Sequence, residues 1–92
     1  MKTFNDLKEG DYIYELDPVS GICNECIIDE ITKETITFNK FTIKPNMNDS
    51  HYCILQVQYF SDKEECIQYL EKLLGFFKTV SKQIGKSIKQ LK

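Results

Sequence analysis

Arginine, alanine and tryptophan are absent from this 92-residue chain, and all twelve basic residues are lysine. Without arginine there is no bidentate guanidinium fork, the side chain best suited to specific recognition of phosphate, carboxylate or guanine. Glycine and proline are sparse, four and two residues. They form neither a phosphate-cradling glycine loop nor a nucleophile elbow. Long apolar runs are missing too: nothing approaches the ~20 residues that cross a bilayer, and the first residues lack the apolar core of a signal peptide. The expected address is cytoplasmic. Acidic residues stop at Glu71.

That last absence divides the chain. Residues 1–71 carry 14 acids against six lysines, a balance of -8, whereas residues 72–92 carry six lysines and no acid, +6, giving the net -2. An acidic body with a basic tail points to tail contacts with an anionic surface or with the body itself. At 41% apolar, 28% charged and 12% aromatic the composition is globular. The length allows one small domain with no large substrate cleft.

The body reads as β. Tyr12, Tyr14 and Leu16 alternate with Asp11, Glu15 and Asp17, a period of two that fits a half-buried strand. Asp17-Pro18-Val19-Ser20-Gly21 supplies turn chemistry, so a hairpin is expected. Residues 22–31 and 35–44 are rich in β-branched and aromatic side chains whose apolar phase slips midway, at Asn39-Lys40 in the second, as in bulged or bent strands. After the turn-forming residues 45–50, the spacing of Cys53, Leu55, Val57 and Tyr59 predicts the inner face of one last long strand.

Leu7-Lys8-Glu9-Gly10-Asp11-Tyr12-Ile13-Tyr14, a turn leading through Gly-Asp into an alternating strand, resembles the opening of SH3-like small barrels over residues 4–60. The resemblance implies a strongly bent small barrel of the kind that often binds protein or nucleic acid. The expected fold class is therefore α+β: a strongly bent antiparallel sheet or SH3-like barrel over residues 1–60, followed within the same domain by a long C-terminal amphipathic helix over 61–92.

Ser61-Asp62-Lys63-Glu64 fits a capping box that starts this helix. Ile67, Leu70, Leu74, Phe77, Ile84, Ile88 and Leu91 then follow a heptad-like stripe, while Lys78, Lys82, Lys86 and Lys89 project from its other side. A continuous helix over residues 62–92 would be about 46 Å long, against about 22–25 Å for the body. It must bend, near Gly75 or Gly85, or overhang and find a partner. The stripe is accordingly expected to be an interface, as a helix-mediated homodimer, a contact with another protein, or a fold-back onto the body. On the homodimer reading Ile84→Asp or Ile88→Asp gives a folded monomer. The lysine face makes an anionic partner the alternative: peripheral membrane binding by residues 75–92, or nucleic acid held by the barrel and helix.

Chemistry has weaker support. Cys23-Asn24-Glu25-Cys26 with His51-Tyr52-Cys53 allows a Cys3His zinc set (Cys23, Cys26, His51, Cys53) to be written down. Yet positions 23 and 26 fall on opposite faces of a regular strand, and buried cysteine is ordinarily a small apolar side chain. The expectation is no metal, no cofactor, no small-molecule substrate and no catalytic residue: a non-catalytic interaction module.

Overall fold

The computed structural model describes residues 2–74 and 81–92. It is α+β, with two antiparallel sheets and two helices. The strands are β1 (Tyr12–Asp17), β2 (Ile22–Ile27), β3 (Glu30–Ile31), β4 (Ile36–Phe38), β5 (Phe41–Ile43), β6 (His51–Ile54) and β7 (Val57–Phe60); the helices are α1 (Lys63–Leu74) and α2 (Ser81–Leu91). The larger sheet runs β2-β1-β7-β6 and the smaller β3-β4-β5. Of the expected bent antiparallel sheet or barrel, the described residues show two antiparallel sheets that are not closed into a barrel.

Three layers result. In β1, Tyr14 and Leu16 join Cys23 of β2, Phe60 of β7 and both helices in one core, while Ile13 of β1, Cys26 of β2 and Tyr59 of β7 join Phe38 and Ile43 of the small sheet in a second. Successive side chains in a strand point to opposite faces. The large sheet is thus buried on both sides, helices on one and the small sheet on the other. An N-terminal 3-10 turn, Phe4–Asp6, closes the second core: Phe4 is buried, and the Phe4 and Asn5 amides donate to the Asp49 and Met47 carbonyls.

Two expected long strands are hairpins. Residues 35–44 fold back at Asn39-Lys40 to make β4–β5, and the run expected from Cys53 to Tyr59 folds back at Leu55-Gln56 to make β6–β7. Both turns hold φ positive at two consecutive residues, 49° and 63°, then 48° and 75°. That is the geometry asked of a two-residue hairpin loop, for which Asn-Gly is the favoured sequence. Neither turn contains glycine, so the usual sequence signal is missing.

The C-terminal helix is also divided. α1 begins one residue later than the capping box predicts, because Asp62 rather than Ser61 is the cap: its Oδ1 accepts from the Glu64 amide at 3.1 Å. Ser61 turns inward instead and donates to the Lys2 carbonyl at 2.6 Å. α2 packs against α1 and β2. No break occurs at Gly85, which lies inside α2; Gly75, the other expected bend, lies outside the described residues.

Candidate interaction surface

The expected interface residues fall mostly inside the chain. Ile67 and Leu70 of α1, with Ile84, Ile88 and Leu91 of α2, are buried in the helical core beside Leu16, Cys23 and Phe60. Leu74 is exposed, and Phe77 lies outside the described residues. Of the fold-back and the seam that the stripe allowed, the fold-back consumes five of its seven side chains. Ile84→Asp and Ile88→Asp would accordingly place a carboxylate in a core, a change that breaks the fold rather than dissociating a dimer.

One junction fixes α2 in place. Gly21, at the foot of β2, has φ +76°, and a Cβ there would stand 2.8 Å from Cγ1 of Ile84. Only glycine fits both the left-handed backbone and this approach. The buried Ser87 hydroxyl donates to the Gly21 carbonyl at 2.8 Å, so the same residue that admits the helix also bonds it. Lys82, Lys86 and Lys89 lie exposed on the other side of α2. Lys78 is outside the described residues.

The cysteines and the histidine occupy three environments. Cys23 and Cys26 sit on opposite faces of β2, in the helical and small-sheet cores respectively. His51 and Cys53 lie on β6, the other edge of the large sheet, three strand spacings or about 14 Å away. The zinc set written from the sequence therefore does not converge, and among the described residues no group of three or more His, Cys, Asp or Glu side chains is placed to hold a metal ion. Burial pushes the Cys26 thiol up to about 11.

His51 and Cys53 do share a face, but Gln58 stands between them. Its amide nitrogen donates to Cys53 Sγ at 2.9 Å and to the Gln56 carbonyl at 3.2 Å, while its amide oxygen is hydrogen-bonded to His51 Nε2. Since an amide oxygen only accepts, that histidine nitrogen carries a proton. His51 also stacks flat on Phe60, ring centroids 4.5 Å apart. Its hydrogen bond goes to Gln58 rather than to the thiol, so His51 and Cys53 are not directly bonded to each other.

Cys66 meets Cys23. Their sulfurs are 3.6 Å apart, buried between α1 and β2. The contact shifts them oppositely, holding the Cys23 thiol below its usual range and, together with burial, driving Cys66 up; either sulfur can donate the hydrogen bond they share.

Part of the exposed apolar surface gathers at one end of the large sheet, while Tyr12, Ile27, Phe41 and Leu74 are exposed elsewhere. The register pairs Asp17 with Ile22, Leu16 with Gln58 and Ile54 with Val57, which brings the β1–β2 and β6–β7 turns to the same end. Val19, Ile22, Ile54 and Leu55 are all exposed there, Leu55 at 92%. On the face shared with the small sheet, Glu15, Asp17, Ser20, Ile22, Asn24 and Val57 line an open depression of about 270 Å³. Its apolar floor comes from Ile22 and Val57. Tyr59 pairs with Glu15 across β1 and β7, and burial together with that carboxylate drives the Tyr59 phenol upward.

From sequence, Leu55 reads as an inward strand residue, because Cys53, Leu55, Val57 and Tyr59 alternate evenly. Only the turn reveals it as the tip of a hairpin. Comparison of the chain with protein-family models, with curated proteins and with solved structures returns no match.

Proposed function

We propose that this chain is a non-catalytic interaction module that self-associates through the turn end of its large sheet, Leu55 of one copy seating against the Ile22–Val57 floor of another. The observation that carries this reading is Leu55 itself. A bulky non-glycine residue at φ 48° costs on the order of 1–3 kcal/mol, and leaving a leucine in water forgoes about 1.5–3 kcal/mol of burial. A fold under no other demand would place asparagine and glycine there.

Self-association suits the layout because knob and depression lie on the same end of one molecule. A two-fold axis between them repeats each contact twice, as in an isologous interface. The resemblance of residues 7–14 to the opening of SH3-like domains agrees with a binding role. A second reading rests on Lys82, Lys86 and Lys89, spaced along the outer side of α2, which favour an anionic partner. There Ile84, Ile88 and Leu91 are occupied in the core, so among the described residues of the tail the membrane version rests on surface attraction.

The test replaces Leu55-Gln56 by Asn-Gly. The wild-type chain is expected to sediment as a dimer at micromolar concentration, and the variant as a monomer with a higher unfolding midpoint, because the new turn relieves strain. A monomeric wild type, or a variant that dimerises as well as wild type, refutes the proposal. Co-sedimentation with anionic vesicles, lost on Lys82→Glu/Lys86→Glu and at high salt, would favour the second reading instead.

A further inference from the structure

We propose that Cys23 and Cys66 form a peroxide-sensitive modification site, in which a disulfide fastens helix α1 to strand β2. The two sulfurs come from elements 43 positions apart in sequence and meet at 3.6 Å in the helical core. They are set apart from the other two cysteines by having each other. Cys26 faces the opposite core, its thiol directed to the Asn24 carbonyl at 3.9 Å, and Cys53 is exposed and bonded by Gln58.

Closing from 3.6 Å to a bond of about 2.05 Å asks each sulfur to move by about 0.8 Å, a shift within reach of side-chain rotation. Access favours one order of events. Cys23 is 8% exposed and Cys66 fully buried, and Cys23 sits on an edge strand bonded to a neighbour on one side only. The same contact holds the Cys23 thiol below its usual range, which favours the thiolate, the nucleophilic form. Hydrogen peroxide, close to water in size, is the oxidant this site admits.

The chemistry balances in two steps. The Cys23 thiolate attacks one peroxide oxygen, the O–O bond breaks, and hydroxide leaves, giving Cys23 sulfenic acid. Cys66 sulfur then attacks the Cys23 sulfur; the S–O bond breaks, hydroxide leaves again, and the two protons originally on the thiols convert both hydroxides to water. Two thiols lose two electrons, and one peroxide is reduced to two waters. A reducing thiol reverses the product by exchange.

The consequence is mechanical. The helical core that includes the pair also holds Ile67, Leu70, Ile84 and Ile88. A covalent tie between α1 and β2 keeps that stripe from opening, whereas the reduced protein relies on packing alone. The site is independent of Leu55 and of the surface proposed for self-association.

The experiment treats the reduced, full-length chain with a few equivalents of hydrogen peroxide, then alkylates the remaining thiols in denaturant. The expected product has lost two of the four alkylatable thiols. Trypsin should release residues 9–33 joined to residues 64–72, a pair separated by dithiothreitol. Fragmentation should assign the link to Cys23 rather than Cys26, and Cys26→Ser should retain it. The oxidised chain should unfold at a higher temperature than the reduced one, reversibly. A link through Cys26 or Cys53, oxidation of Cys53 alone, or an unchanged or lower unfolding midpoint would each overturn the proposal.

Discussion

Truncating Ile84 while adding a methyl at Gly21 gives a test that only the fold-back of α2 can pass. Ile84 is fully buried, in contact with the Gly21 turn on one side and grouped with α1 side chains on the other. Ile84→Ala removes three carbons from a site walled by two layers, where large-to-small changes cost about 2–5 kcal/mol. Alanine returns a few tenths of a kcal/mol in helix propensity. A net loss of about 3 kcal/mol is a large part of the roughly 5–14 kcal/mol expected for a 92-residue domain. At about 4–8 °C per kcal/mol, the midpoint should fall by some 12–24 °C.

Gly21→Ala alone should cost more than its left-handed backbone demands, because the new Cβ lies 2.8 Å from Ile84 Cγ1. In the double variant that carbon is gone and the clash is relieved, leaving the contact of 3.2 Å with the Ile84 amide nitrogen. The two changes should therefore cost less together than the sum of their separate effects, by more than the ~0.5 kcal/mol within which independent sites add. Urea unfolding of the four proteins, followed by circular dichroism, measures the cycle. Additive effects, or an Ile84→Ala protein that keeps its midpoint while losing an oligomer, would refute the packing of α2 on the Gly21 turn.

Lys40→Gly should stabilise the protein by about 0.5–1 kcal/mol, since Lys40 holds φ 63° at the tip of the β4–β5 turn; thermal unfolding checks this, and a loss would mean the lysine side chain makes a contact worth more than the relief. Alkaline pH should unfold the chain partly through Tyr14, whose phenol burial pushes from 10 up to about 12. The unfolded state releases that proton first, so the contribution is intact below pH 10 and falls away as pH rises to 12, by an upper bound of about 2–3 kcal/mol. Tyr14→Phe should flatten urea-measured stability across that window, and an unchanged slope would reject the assignment.

Much of the architecture is legible in residue order. Tyr12, Tyr14 and Leu16 mark β1, Asp17 to Gly21 marks its turn, and Ser61-Asp62-Lys63-Glu64 locates the helix start to within a residue or two. What escapes is punctuation by unfavoured residues. Asn39-Lys40 and Leu55-Gln56 turn the chain with backbone angles that Lys, Leu and Gln avoid when free, so local preference reads each hairpin as one strand. Leu55, the centre of the candidate surface, is hidden for the same reason. The Cys23–Cys66 contact is equally unreadable, since its members are far apart in sequence and lie in different layers.

The sequence alone determined that an apolar stripe runs from Ile67 to Leu91 and calls for a covering surface, that lysines lie on its other side, and that the β segments alternate. These are statements of periodicity, and each element carries its own period. Tertiary structure decided what the stripe is buried against. The hydrophobic effect rewards removal of apolar area from water without regard to the covering surface. A seam with a second copy and a fold-back onto β2 therefore call for the same spacing. The choice falls to shape: a glycine at position 21 leaves room for Ile84 to enter, and Ser87 bonds the carbonyl it finds there.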